Sequence, residues 1–290
     1  MSKLPSWAYT TGVSFSGIWD SMYDRSQEQK RRIDTDHKNF WGESGNVKRF
    51  VNRLKADDRG RVGYQLAQLP FPVGSTVLDI GAGPGTLAVP LAKAGCKVTA
   101  LEPSEPMRSA MQEYREREHA PEIVSVPKFF EDVTAEELGE FDYVLSSFSL
   151  MMGNIREVLE KINAMARREV HIFWFMIPPS VSRGNVELWP KLYGEQYFYE
   201  PTADILWNVL REMGIFANVQ VETRKKSQVY PDLDAVYEDY YVRMLAGTPE
   251  QRAIIDAYLK ERVVQTENGY VVPGSSCSAH IWWETGVNLL

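Results

Sequence analysis

The chain has 290 residues, which suits one large domain, or one domain carrying insertions, and its 44% hydrophobic and 24% charged residues are the profile of a soluble globular protein with a sizeable core. Its 32 basic and 39 acidic residues leave a net charge of −7, which argues against a broad basic face for nucleic-acid phosphates. Two cysteines, Cys96 and Cys277, lie outside any C-x-x-C spacing and make a disulfide framework or zinc site an unfit reading.

In chain order, residues 1 to about 70 read as helical and irregular, rich in aromatics from Trp7 to Trp41. The opening "MSKLPSWAYT" lacks the apolar run of a signal peptide. The longest apolar run, "VHIFWFMI" (170–177), is too short to span a bilayer, so a cytoplasmic protein without a membrane partner is expected. From residue 73 apolar runs alternate with amphipathic ones. "TVLDIG" (76–81) reads as a buried strand, and "TLAVPLAKAG" (86–95) as a helix stopped by Gly95. "KVTALEP" (97–103) is a second strand. "SEPMRSAMQEYREREH" (104–119) is a helix capped by Ser104, with Met107 and Met111 on one face. "EIVSVP" (122–127), "FDYVLSSFSL" (141–150) and "EVHIFWFM" (169–176) are further strands, with a helix at "REVLEKINAMARR" (156–168) between the last two. Beyond them come a helix at 202–214, a strand at 217–225, helices at 232–245 and 249–263, and a last strand at 275–285. Continuous apolar strands alternating with helices predict a parallel sheet covered on both faces. Two stretches exceed the minimal sheet and read as insertions, 178–201 and 226–274.

The stretch "LDIGAGPGTL" (78–87) places three glycines at alternate positions between the first strand and its helix. Bare backbone at such a junction lets a ligand approach closely and aims helix N–H groups at it. A nicotinamide-type fingerprint, G-x-G-x-x-G, would need glycine at position 86, which is Thr86. The spacing is instead G-x-G-x-G, preceded by Asp79. About twenty residues on, the second strand ends in Glu102, where a carboxylate can accept both hydroxyl hydrogens of a ribose.

The stretch "VLDIGAGPGTLAVPLAKAGCKVTALEPSEPM" resembles the first two motifs of class I methyltransferases that use S-adenosylmethionine. The resemblance is specific at 77–87 and 98–104, covers 73 to about 177, and weakens beyond. It implies a doubly wound α/β fold with a seven-stranded sheet of order 3-2-1-4-5-7-6, the last strand antiparallel. A helical N-terminal segment (1–70) would precede the methyltransferase domain (71–290). By position it implies that Asp79, Gly81, Ala82, Gly83 and Gly85 bind the cofactor, the glycine turn lying beneath its amino-acid end and ribose. Glu102 would hold the ribose hydroxyls, and Pro103, Ser104 and Met107 would flank the adenine. Asp132, in "FFEDVTAEEL", would accept the adenine amino group, with Glu131 beside it; Asp132 also reads as an N-cap for "TAEELG". Ser147, within 146–150, would pass the methionine part. S-adenosylhomocysteine would be the product.

A sulfonium methyl is already activated, so proximity and alignment supply much of the catalysis. A general base is needed only for a protonated acceptor of high pKa. Tyr23 and His37 are the candidates for such a role. "FSGIWDSMYDR" (15–25) resembles an N-terminal segment of small-molecule methyltransferases whose tyrosine approaches the methionine end. Trp19 and Tyr23, four apart, would share a helix face. With Trp189, Tyr193 and Tyr197 of the first insertion and Tyr240 of the second, they are expected to line or cover an acceptor pocket. "RKK" (224–226) reads as a solvated strand end. The expected partner is a small-molecule substrate, not a nucleic acid. The fourth strand ends in "SSFSL", without the NPPY-type motif of amino-group nucleic-acid enzymes. An RNA or protein methyltransferase, or a non-catalytic cofactor-binding protein, are the competing readings.

Overall fold

The computed structural model describes residues 12–33, 37–56, 60–178, 180–225 and 228–286. Helices α1 (Phe15–Ile33), α2 (Ser44–Ala56) and α3 (Gly60–Ala67) precede the first strand, with a 3-10 turn at His37–Gly42. Then follow β1 (Thr76–Ile80), α4 (Ala88–Lys93), β2 (Lys97–Leu101), α5 (Glu105–Arg117), β3 (Val124–Val126), α6 (Ala135–Leu138) and β4 (Phe141–Ser147). Next are α7 (Ile155–Met165), β5 (Ala166–Phe175), α8 (Ser180–Tyr193), α9 (Ala203–Glu212) and β6 (Asn218–Lys225). The C-terminal part holds β7 (Gln228–Tyr230), α10 (Leu233–Arg243), α11 (Pro249–Lys260), β8 (Val264–Thr266), β9 (Gly269–Val272) and β10 (Ser275–Glu284).

Seven strands form one sheet of order β3-β2-β1-β4-β5-β10-β6, with β10 antiparallel to both neighbours. This is the expected order, β10 being the seventh strand. Side chains alternate between two cores, as a two-residue period requires. Leu78, Ile80, Val144, Ile172, Trp174 and Ile281 meet α7, α9 and Trp19 on one face. Val77, Val98, Tyr143, Leu145 and Phe173 meet α4, α5 and the α3 side on the other. One boundary moves: "ARR" (166–168) belongs to β5, not to the preceding helix, because Ala166 already pairs with Phe141 of β4.

The two insertions build one unit. Leu188 of α8 shares an apolar cluster with Val236, Tyr240 and Met244 of α10 and its exit, and with Ile255 and Leu259 of α11. A small antiparallel sheet, β7-β9-β8, joins this unit. Its strands are three or four residues long, too short to show a period in the sequence.

Helix α1 is fixed along its whole length. At its start, Phe15 N–H and Ser16 N–H donate to the two oxygens of Glu212 on α9, at 2.6 and 3.2 Å. A carboxylate there satisfies orphan donors and suits the positive end of the helix. Near its end, the buried Gln29 donates to Gln196 O (2.7 Å) and accepts from Phe198 N–H (2.9 Å), tying the first insertion to the helix. Arg25 lies 4.2 Å over the Phe198 ring, and Lys30 pairs with Glu200. No helix among the described residues is long and apolar enough to cross a membrane.

Candidate cofactor and acceptor site

All three glycines after β1 take left-handed backbone, φ +67° at Gly81, +56° at Gly83 and +77° at Gly85, a region costly for residues with a Cβ. Gly81 N–H and Ala82 N–H donate to Leu101 O at 2.8 and 3.1 Å, which locks the turn against β2. A methyl at Gly81 would overlap Ser149 and lie 2.9 Å from its Oγ. One at Gly85 would lie 2.6 Å from Met111 Cγ. At Gly83 a methyl meets nothing within 4 Å. The middle glycine therefore faces open space, whereas the outer two serve packing.

The Glu102 carboxylate is buried beside this opening. One oxygen accepts from Gly83 N–H and the other from Ser104 N–H, both at 2.8 Å. Each oxygen keeps a lone-pair site for a further donor. Burial pushes the Glu102 pKa up, and the two N–H donors and Arg108 oppose the shift. Asp79 lies deeper, only 2% exposed. Desolvation, then the Glu102 charge, raise its pKa to about 7, against one hydrogen bond from Ala88 N–H. That bond ties the start of α4 to β1, so Asp79 acts as a brace under the turn. Ser104 caps α5 by accepting from Met107 N–H (3.2 Å) and donates its hydroxyl to Trp41 O (2.6 Å). The N-terminal segment is thereby pinned over the residues after β2. Pro103 is half-buried at this junction, and Met107 is buried on α5. Asp132 is exposed at the end of a 3-10 turn, Phe130–Asp132. It is not the cap of the next helix: Thr134 accepts from Glu137 N–H and Glu137 accepts from Thr134 N–H, a capping box.

The end of β4 closes the other side. Ser149 Oγ donates to Ile80 O and sits 3.0 Å from Ser146 Oγ. Ser147 Oγ accepts from Gln65 Nε2 of α3 at 2.8 Å. Phe148 takes φ +56°, unusual for an aromatic residue and a mark of strain that the surroundings impose. The loop onward is gripped by α1. Trp19 Nε1 donates to Met152 O (2.9 Å), Asp20 accepts from Ile155 N–H (3.1 Å), and the Tyr23 ring lies 3.3 Å from where a side chain at Gly153 would start. Burial and the Glu131 and Asp24 charges raise the Tyr23 pKa, so this phenol stays protonated and is a poor base.

The expected aromatic wall is more structural than its composition implies. Trp19 is fully buried and packs on Trp174 with ring centres 6.0 Å apart, which makes it a core residue. Tyr240 likewise sits in the core of the insertion unit. Trp189 contacts Tyr193 and Tyr197 at 4.7 and 5.0 Å, and Tyr193 Oη lies within hydrogen-bond reach of Met244 O and Leu245 O. His37 begins the 3-10 turn, and its side chain lies outside the described residues. His171 and His280 form a buried pair inside the sheet, Nδ1 to Nε2 at 3.0 Å, away from the glycine turn.

One face of α3 was missed. Arg61, Tyr64 and Gln65, at i, i+3 and i+4, look onto the ends of β4, β5 and β6. Arg61 stands 5.1 Å over Phe148, whose ring is 4.5 Å from Phe175. Arg224 stands 5.1 Å over Tyr64 and pairs with Glu222. Arg224 is therefore not a solvated strand end: it is half-buried against a ring. The helical spacing in "GRVGYQLA" was the only available signal.

Residues 77–169 match the family described as methyltransferase domain. Over 211 residues the chain is 29% identical to an uncharacterized protein of Haemophilus influenzae, covering 71% of this chain and 75% of that one. A solved candidate methyltransferase of Bacillus halodurans superposes with a TM-score of 0.53 at 15% identity, over 77% of this chain and 97% of that one. The YcgJ protein of Bacillus subtilis gives 0.52 at 11% identity, over 77% and 97%. With the domain match, the strand order and the glycine turn in place, residues 77–169 are a methyltransferase domain, and the chain has the class I methyltransferase fold. It is an enzyme whose cofactor is S-adenosylmethionine. The residues present fit that group: Gly83 leaves room where a side chain would stand, and Glu102 keeps acceptor capacity for two hydroxyls.

Proposed function

We propose that this enzyme transfers the methyl group of S-adenosylmethionine to a small-molecule acceptor. The carrying observation is the enclosure at the strand ends. Helix α1 is tied to α9, to the loop after β4 and to the first insertion, an arrangement that favours a small acceptor over a polymer. The cofactor supplies an activated methyl on a sulfonium. Gly81 to Gly85 give it bare backbone, Glu102 accepts from its ribose, and Pro103, Ser104 and Met107 border the adenine. Asp132, exposed after β3, is free to meet the adenine amino group. Ser147 to Ser149, held by Gln65 and Ile80 O, border the methionine part. The N-terminal segment, residues 1–70, and the insertions at about 178–201 and 226–274 form the cover of domain 71–290.

The test is transfer of isotopic methyl from S-adenosylmethionine into a cell extract split by size. Label in the fraction below about 3 kDa supports this reading. Label confined to RNA or protein overturns the small-molecule part. Binding of S-adenosylhomocysteine with no transfer to any fraction favours the non-catalytic alternative.

A further inference from the structure

We propose that the face of α3 made by Arg61, Tyr64 and Gln65, with Phe148, Phe175 and Arg224, is the acceptor site, and that it takes a planar ring bearing a carboxylate. The proposal rests on the small-molecule reading above and deepens it.

Position comes first. These residues gather at the carboxyl ends of β4, β5 and β6, and ligands of open α/β sheets bind outside such ends. Gln65 Nε2 bonds Ser147 Oγ, so α3 is fixed to the same strand end that borders the methionine part. The strained Phe148 points its ring between Phe175 and Arg61, and strain of this sort gathers at functional sites. A flat ring suits this setting: Phe148 and Phe175 are tilted by 43°, and guanidinium groups already stack on two of the rings.

The charge requirement follows from unspent donors. Glu222 occupies Nε and Nη2 of Arg224 through one oxygen, and the remaining guanidinium hydrogens have no partner among the described residues. Tyr64 Oη, beside both groups, is a buried hydroxyl without a hydrogen-bond partner among the described residues. A buried orphan hydroxyl is costly and calls for an occupant. Two donors converging beside aromatic rings match an oxyanion, and Arg61 adds a second positive charge to the same face. In a chain of net charge −7, with the Glu102 carboxylate beside the cofactor turn, two arginines on this side form a distinct electrostatic half.

The experiment uses the full chain loaded with S-adenosylhomocysteine, titrated by ligand-observed NMR with benzoate, benzamide and benzylamine, three rings of one size and different charge. Benzoate should bind about 10-fold more tightly than benzamide, with benzylamine weakest, as one charge-assisted bond implies. Tyr64→Phe should weaken benzoate several-fold. The pair Glu222→Gln with Arg224→Gln should erase the benzoate preference. Retained S-adenosylhomocysteine affinity in each variant shows that fold and cofactor site are intact. Equal binding of benzoate and benzamide, or a preference that survives the paired substitution, overturns this assignment and leaves the methyltransferase reading standing. Failure of the wild-type chain to bind S-adenosylhomocysteine overturns the underlying reading itself.

Discussion

The cofactor half and the proposed acceptor half of the strand ends are built on different plans. The first comes from one continuous run, β1 to β4, in which each residue is placed by the turn or strand beside it. The second is assembled from α1, α3, the loop after β4 and β6, brought together from distant parts of the chain. Phe15 meets Glu212 across 197 residues, and Gln65 meets Ser147 across 82. A locally built half can vary in function without touching stability. In a half assembled over long range, binding and folding draw on the same contacts.

The sharpest way to break that contrast is Trp19→Ala. This side chain touches both the core and the Met152 carbonyl. Loss should cost about 3–5 kcal/mol of stability in denaturant unfolding, because a large buried indole leaves a cavity. Glu102→Ala should do the opposite. Calorimetric affinity for S-adenosylhomocysteine should fall by about 1–3 kcal/mol, with a smaller loss of stability than in Trp19→Ala from the Gly83 and Ser104 N–H groups left without their acceptor. Unchanged affinity would remove the ribose assignment. Smaller still is the split between two glycines. Gly83→Ala should cost about 1–2 kcal/mol of stability from left-handed strain alone, and lose cofactor affinity because its methyl enters the open side. Gly81→Ala should cost more stability, because Ser149 must move.

The finest comparison is in pH. Folded Asp79 holds its proton to about 7, whereas an unfolded aspartate releases it near 3.8. Folding therefore takes up a proton between those values, and stability falls as pH rises through them. Asp79→Asn should flatten the stability profile over pH 4 to 7. His280, stacked on Phe173 and Trp282, has its pKa lowered to about 3 by burial and by His171. The unfolded chain then binds the extra proton, so stability falls as pH drops from about 6.5 towards 3. His280→Phe should flatten that acid limb, read from thermal melts across the range.

What was legible in the sequence was local. The glycine turn, the Ser104 cap of α5 and the stop at Gly95 follow from neighbouring residues alone, and all are present. The seven-stranded order came by resemblance and is found. The Thr134 cap was local too, since Glu137 three residues on marks a capping box that the Asp132 reading passed over. What needed the fold was long-range. Pairing with β4 drew "ARR" into β5 against its helical pattern. The joining of two insertions into one unit, and the Arg61–Tyr64–Gln65 face, involve contacts that no window of sequence contains.

The antiparallel strand β10 has a consequence for how the molecule is made. It lies between β5 and β6, yet it is synthesised after both, with some fifty residues intervening. Until residues 275–284 leave the ribosome, β5 and β6 each present a bare edge, and the sheet cannot close. The seam is thus stitched last, and a nascent chain halted short of it would hold its glycine turn but expose two sticky margins to its neighbours.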